Sequence, residues 1–277
     1  MGAWGYCLFQ SDHDLDNVGD MGHELGLSKL QEDAHAVAKA QGKTEEEVER
    51  SIHYDIYAPC CSDPELIRKH LDSGVLVEML SKKEAKILKP LTGSTDEGLE
   101  YWFSDPCYMY ILLSACAMTL GCHLPASCIA LLKKIFTEGG LMPDAQRQMH
   151  KALFGPDGYK DGEPYDFASK NLLEEVNASF EERLSSGPGY GGLNVVSPGG
   201  MFETGMTTST TSIVVKELRA QFNTPDECGG CGVEHRPKGK NLLTCSKCLN
   251  RKYCSVACQK KHWKIHKKVC EPAKKSL

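Results

Sequence analysis

The sequence predicts a mainly α fold in two unlike parts: a helical N-terminal domain and a small C-terminal module organised by cysteines. Three observations carry this. Apolar residues recur at helical spacing over the first two-thirds, punctuated by Pro and Gly. Seven of the 14 cysteines fall between Cys228 and Cys270. Charge divides at the same place. Residues 228–277 hold 13 Lys+Arg against 2 Asp+Glu, a net of +11, while residues 1–227 hold 19 against 35, a net of −16. The formal charge of −5 is therefore a cancellation, and such asymmetry marks separate modules.

The helical domain is expected over residues 1–185. Leu15, Val18, Met21 and Leu25 recur at helical spacing, as do Leu66, Ile67 and Leu71. Asp63-Pro64, Asp105-Pro106 and Leu124-Pro125 place Pro where a helix starts, since the first turn needs no N–H there. Ser28 with Gln31, and Thr44 with Glu47, have capping-box spacing. Gly121, Gly139 and Gly155 stand where helices stop. Residues 106–132 carry no Asp, Glu, Lys or Arg, but Gly121-Cys122-His123-Leu124-Pro125 interrupts them. A membrane span needs ~20 unbroken apolar residues, so two buried helices and no membrane contact are expected.

Residues 186–212 change character: 27 residues with 7 Gly, 2 Pro and 9 Ser or Thr, and one charge, Glu203. Such a stretch buries too little to order itself and reads as a linker with a reach of roughly 30 Å. Residues 213–227 form a lead-in, a short helix or strand, with Ile213–Val215 as the strand candidate. The cysteine module spans 228–270, and a short basic tail, 271–277, follows.

The N-terminus has no basic secretory region, so the chain is expected inside the cell, nuclear or cytoplasmic. Clustered cysteines in a reducing compartment read as metal sites. Cys228-x2-Cys231, Cys245-x2-Cys248, Cys254-x3-Cys258 and His266-x3-Cys270 are four successive chelating pairs. Zinc takes four such donors tetrahedrally, so eight make two closed sites. His262 is the rival imidazole; spacing favours His266, one helical turn from Cys270.

Tyr253-Cys254-Ser255, Cys258-Gln259, Trp263 and His266-Lys267 followed by Cys270 make this segment resemble the MYND-type zinc finger. The HIT-type finger, which shares the Tyr-Cys-Ser step, is the runner-up. The MYND resemblance implies a cross-braced arrangement. Cys228, Cys231, Cys254 and Cys258 would hold one zinc, and Cys245, Cys248, His266 and Cys270 the other. It also implies a protein-interaction module that docks short, proline-containing peptides, with Gln259 and Trp263 as contact residues. Both zincs would be structural, because no coordination position is left open. The alternative role for Trp263 is packing against the second zinc site.

The opening Met1-Gly2-Ala3-Trp4-Gly5, with Phe9, Asp12, Asp14 and Asp16, resembles the start of an uncharacterised domain family met in fungal proteins. That family implies no activity. Asp12, Asp14 and Asp16 mimic a calcium loop but lack its Gly and closing Glu, so helix capping explains them better. Gly-x-Ser-x-Gly, P-loop and zinc-protease patterns are absent. Cys107, Cys116, Cys122 and Cys128 are expected as core hydrophobes. The predicted function is a non-enzymatic adaptor or regulator whose finger docks a partner peptide. The alternatives are a nucleic-acid-binding transcriptional regulator, using the finger's charge of +8 with two Zn²⁺ and seven thiolates, and an enzyme hidden in the helical domain with a recruiting finger. The linker would also let the acidic domain reach and mask the basic finger.

Overall fold

The computed structural model describes residues 2–91, 105–172, 174 and 208–273. The helical body is built from α1 (Asp12–Glu24), α2 (Leu27–Ala40), α3 (Glu45–Ser51), α4 (Pro64–His70), α5 (Leu76–Leu88), α6 (Pro106–Leu120), α7 (Ala126–Ile135), α8 (Pro143–Phe154) and α9 (Ile213–Asn223). The finger adds a two-stranded antiparallel ribbon, β1 (Leu243–Thr244) with β2 (Lys252–Tyr253), and α10 (Val256–His266).

Helix α6 is the hub. It is apolar all round and buried along its whole length, as expected of a helix enclosed by others. Helices α1, α4 and α5 pack on it. Two of its hydroxyls bond back to the helix: Ser114 Oγ donates to the Tyr110 carbonyl (2.8 Å), and Thr119 Oγ1 to that of Cys116 (2.7 Å). Gly121 ends the helix at φ +71°, and α7 follows after Pro125. The charge-free stretch is thus two buried helices. Among the described residues no helix is long and apolar enough to cross a membrane.

Several local signals act as read. Thr44 and Glu47 form a full capping box at α3. Pro64 and Pro106 open α4 and α6 beneath the caps Asp63 and Asp105. Other signals act differently. Ser28 and Gln31 do not cap α2, because Gly26, left-handed at φ +83°, already turns the chain into it. Ser28 Oγ pairs with His23 Nδ1 (3.1 Å), and Gln31 Oε1 accepts from the Tyr54 amide (2.7 Å). Gly139 is not a helix stop; α7 has already ended at Ile135. It is a close-approach glycine, whose added Cβ would lie 2.9 Å from the Tyr108 amide nitrogen.

The expected linker is largely outside the described residues, which resume at Thr208. Its last five residues correct the expectation. Thr208–Ser212 form a turn docked on the body, with Ser209 and Ser212 fully buried. Asp105 Oδ2 accepts from both the amide and the hydroxyl of Ser209 (2.8 Å each), and Ser212 Oγ donates to Glu138 Oε2 (2.7 Å). The hydroxyls that suggest a solvated tether by composition are here the binding groups.

The 213–227 lead-in is likewise a body element, and its strand candidate is helical. Ser212 caps α9 through the Val215 amide (3.0 Å), and Val215 enters the main core. Arg219 Nε donates to the Ile87 carbonyl (2.7 Å) and Asn223 Nδ2 to that of Leu88 (2.8 Å). These are C-terminal carbonyls of α5 that its own turns leave unpaired. Helix α9 also packs on α10, so body and finger are in contact through it.

Candidate metal centre

The finger is held by tight turns around its cysteines. The Cys231 and Gly232 amides bond back to the Cys228 carbonyl (3.3 and 2.7 Å), and the Leu249 amide to that of Cys245 (2.9 Å). Each turn aims both thiols of a pair at one point. The ribbon joins them: the Gly229 amide donates to the Lys252 carbonyl (2.9 Å) and the Cys245 amide to that of Arg251 (2.8 Å). Ser255 caps α10 through the Cys258 amide (3.1 Å). The paired glycines have a steric reason. A Cβ on Gly230 would sit 2.9 Å from that of Cys258, and one on Gly229 would lie 2.5 Å from Arg251 Nε.

Two donor sets result: Cys228, Cys231, Cys254 and Cys258, and Cys245, Cys248, His266 and Cys270. In each, all ligand atoms lie within 4.8 Å of one another. Cys231 and Cys254 sulfurs are 3.5 Å apart, Cys254 and Cys258 3.4 Å, Cys245 and Cys270 3.8 Å, and Cys248 Sγ lies 3.4 Å from His266 Nε2. A zinc tetrahedron with bonds of ~2.3 Å has edges of ~3.8 Å, so both sets fit that ion. The first and third chelating pairs share one site and the second and fourth the other, which is the cross-brace. All four donors of each site are protein atoms, leaving no position for water or substrate, so the role is structural.

The electrostatics match. Burial opposes ionisation of Cys228, but the amides of Cys254, Gly230 and Cys231 outweigh it and bring the thiol down to about 6. At Cys245, burial is likewise outweighed, by the Cys248 amide, His266 and the Lys247 amide, again to about 6. Hydrogen bonding to Cys258 and Cys231 pushes Cys254 up to about 12, and burial followed by Cys245 does the same to Cys270. In each site one thiol is thus held below the ordinary range and another above it, and a bound dication favours the thiolate form of both.

His262 is not a donor. Its Nδ1 lies 3.2 Å from Tyr253 Oη and its Nε2 3.3 Å from Glu217 Oε2. Glu217, from α9, was not legible as a site residue: nothing in its neighbours marks it. It is only 4% exposed, and its Oε1 lies 3.2 Å from His266 Nδ1. Burial raises its pKa, but His266, Gln221, Arg251 and His262 together hold it below the ordinary value.

Gln259 and Trp263 are four residues apart on α10 and share a face. Gln259 is half-buried. Trp263 is 41% exposed, and its ring centroid lies 5.9 Å from that of His266. It therefore both flanks the second site and meets solvent. Lys260, Lys261, Lys264, Lys267 and Lys268 are exposed.

No comparable set exists elsewhere among the described residues. Ser11 caps α1, with Asp12 and Asp14 in its first turn. Asp14 is buried, accepting from the Phe9 amide (2.7 Å) and from Tyr108 Oη. The three aspartates form no cation loop. Cys107, Cys116, Cys122 and Cys128 are buried, and burial raises each thiol.

A family model, that of the MYND finger, matches residues 228–270. Comparison with curated proteins and with solved structures finds no match. The resemblance of the N-terminus to a Met-Gly-x-Trp-Gly family gains no support from these comparisons. The donor sets, their cross-bracing and the family match agree: residues 228–270 are a MYND finger with two sites that fit two structural zinc ions.

Proposed function

We propose that the chain is a non-enzymatic adaptor or regulator whose finger captures a partner peptide, including proline-containing ones, through Gln259 and Trp263. MYND fingers are in general zinc-binding protein-interaction modules. The observation that carries the reading is Trp263. A large aromatic side chain stays substantially exposed on the helix that supplies His266, with Gln259 one turn before it. Exposed aromatics of this kind are common anchors of interfaces, and an aromatic face suits a proline ring. The saturated zincs hold this face and do no chemistry.

Trp263→Ala and Gln259→Ala should abolish peptide capture while the protein keeps two zinc ions. Undiminished capture, or loss of metal, removes the assignment. A second reading rests on the exposed lysines of α10, whose charge suits nucleic acid. Binding that falls steeply with salt and survives Trp263→Ala would favour it.

A further inference from the structure

We propose that Glu217, which lies outside the finger, is the positioning residue of its second zinc site. Zinc occupancy there and docking of the finger on the helical body then form one linked equilibrium. The sole imidazole donor of that site is His266, fully buried, with Nε2 turned to the sulfur of Cys248 and Nδ1 to Glu217 Oε1 (3.2 Å). A metal-binding imidazole must carry its proton on the other nitrogen. A carboxylate that accepts that proton fixes both tautomer and ring orientation. Glu217 is placed to do so, and is itself held by Gln221, whose Nε2 donates to the same oxygen (2.9 Å).

The rest of the carboxylate is also bound by the finger. Arg251 Nε lies 3.5 Å from Oε1, and His262 Nε2 lies 3.3 Å from Oε2. Arg251 also donates through Nη1 to the Thr224 carbonyl just after α9 (3.3 Å). Three finger side chains therefore converge on one acid that the finger does not contain. On the opposite side, α9 is anchored by Val215 and by Arg219 and Asn223 on α5. Loss of such an outer partner typically weakens metal binding by about 10–100-fold. Because coupling is reciprocal, zinc in that site tightens docking by the same factor.

The test uses the full chain and zinc competition with a chromophoric chelator. Glu217→Ala should weaken one of the two zincs by about 10–100-fold and leave the other unchanged. With cobalt in place of zinc, the absorption bands of the site with three sulfur donors and one nitrogen donor should change. Glu217→Gln, which keeps an acceptor for the imidazole N–H, should restore most of the affinity. Equal loss from both sites in a folded chain, no loss, or a Gln variant as weak as Ala overturns the proposal. A measurement on the unmutated protein decides the linkage even if Glu217→Ala unfolds. Removing zinc should raise hydrogen exchange at the amides of α9 at least tenfold, and unchanged exchange there overturns it.

Discussion

Zinc removal should unfold the finger and leave the helical interior folded. The buried cluster of the finger consists of Cys228, Cys245, Cys248, Tyr253 and Cys270. Four of these five are metal donors, so Tyr253 is the only ordinary apolar side chain in it. Burying one such side chain contributes about 1.5–3 kcal/mol, whereas a structural zinc contributes about 10–16 kcal/mol of folding free energy. The metal term outweighs the packing term several-fold at each site. The helical body has its own core around α6, from Tyr110 to Leu113, with no metal donor set among its described residues. The assay is hydrogen exchange read by mass spectrometry, with bound zinc counted in parallel. Once both ions are gone, amides of 228–270 should exchange freely and those of α6 should stay protected. Full protection of the finger in a verified zinc-free sample would refute the reasoning, as would simultaneous melting of α6.

Four further outcomes follow from the body. Gly121→Ala places a Cβ at φ +71° and 2.7 Å from the Pro164 nitrogen, so strain and collision together should cost about 2–5 kcal/mol in a denaturant titration. Gly26→Ala, at φ +83° in open space, should show only the strain, about 1–2 kcal/mol, and equal losses would contradict the collision. Ser212→Ala removes both the cap of α9 and one of the two hydroxyl partners of Glu138; a loss of about 1–3 kcal/mol is expected, and a change under about 0.5 kcal/mol would show that the docked turn contributes little. Asp14 is raised by burial, against the opposing hydrogen bonds from Tyr108 and Phe9. Its contribution is therefore fully present below its unfolded value of ~3.9 and is lost as pH rises through the folded one. In Asp14→Asn this pH dependence should disappear over that window; an unaltered slope would assign it to another group.

The zinc ligands were legible because their information is local. A chelating pair is a turn or a helical step, and each pair is read without knowledge of the fold. Helix α6 was legible for a related reason, since a charge-free stretch broken by Gly and Pro has few places to go but the interior. What failed depended on partners distant in sequence. Thr208–Ser212 have the composition of a tether, and only Asp105 and Glu138, some 70 to 100 residues earlier, make them an anchor. Ile213–Val215 suit a strand by their β-branched side chains, yet the Ser212 cap and the packing on α5 select a helix. Glu217 carries no mark at all in sequence, because its role exists only once α9 is laid against α10. Gly26 shows the local version of the same limit, where a left-handed residue pre-empted the capping box two residues later.

The sulfur-built interior of the finger has a chemical consequence beyond metal binding. In an ordinary core, an oxidant must first reach a shielded methionine or cysteine, and the surrounding hydrocarbon keeps the shape. Here the atoms that fill the centre are also those that bind the ion. Oxidation of one thiolate to a sulfenic acid or a disulfide therefore removes a ligand and a packing element in the same event. Cys231 is the exposed member of the first site and the most open of its four thiols. Cys107, Cys116, Cys122 and Cys128 of the helical body are buried and raised in pKa by that burial, so they share none of this reactivity, whereas Cys7, Cys60 and Cys61 lie nearer the surface. One chain thus carries metal-binding thiols and core-enclosed thiols with opposite responses to peroxide.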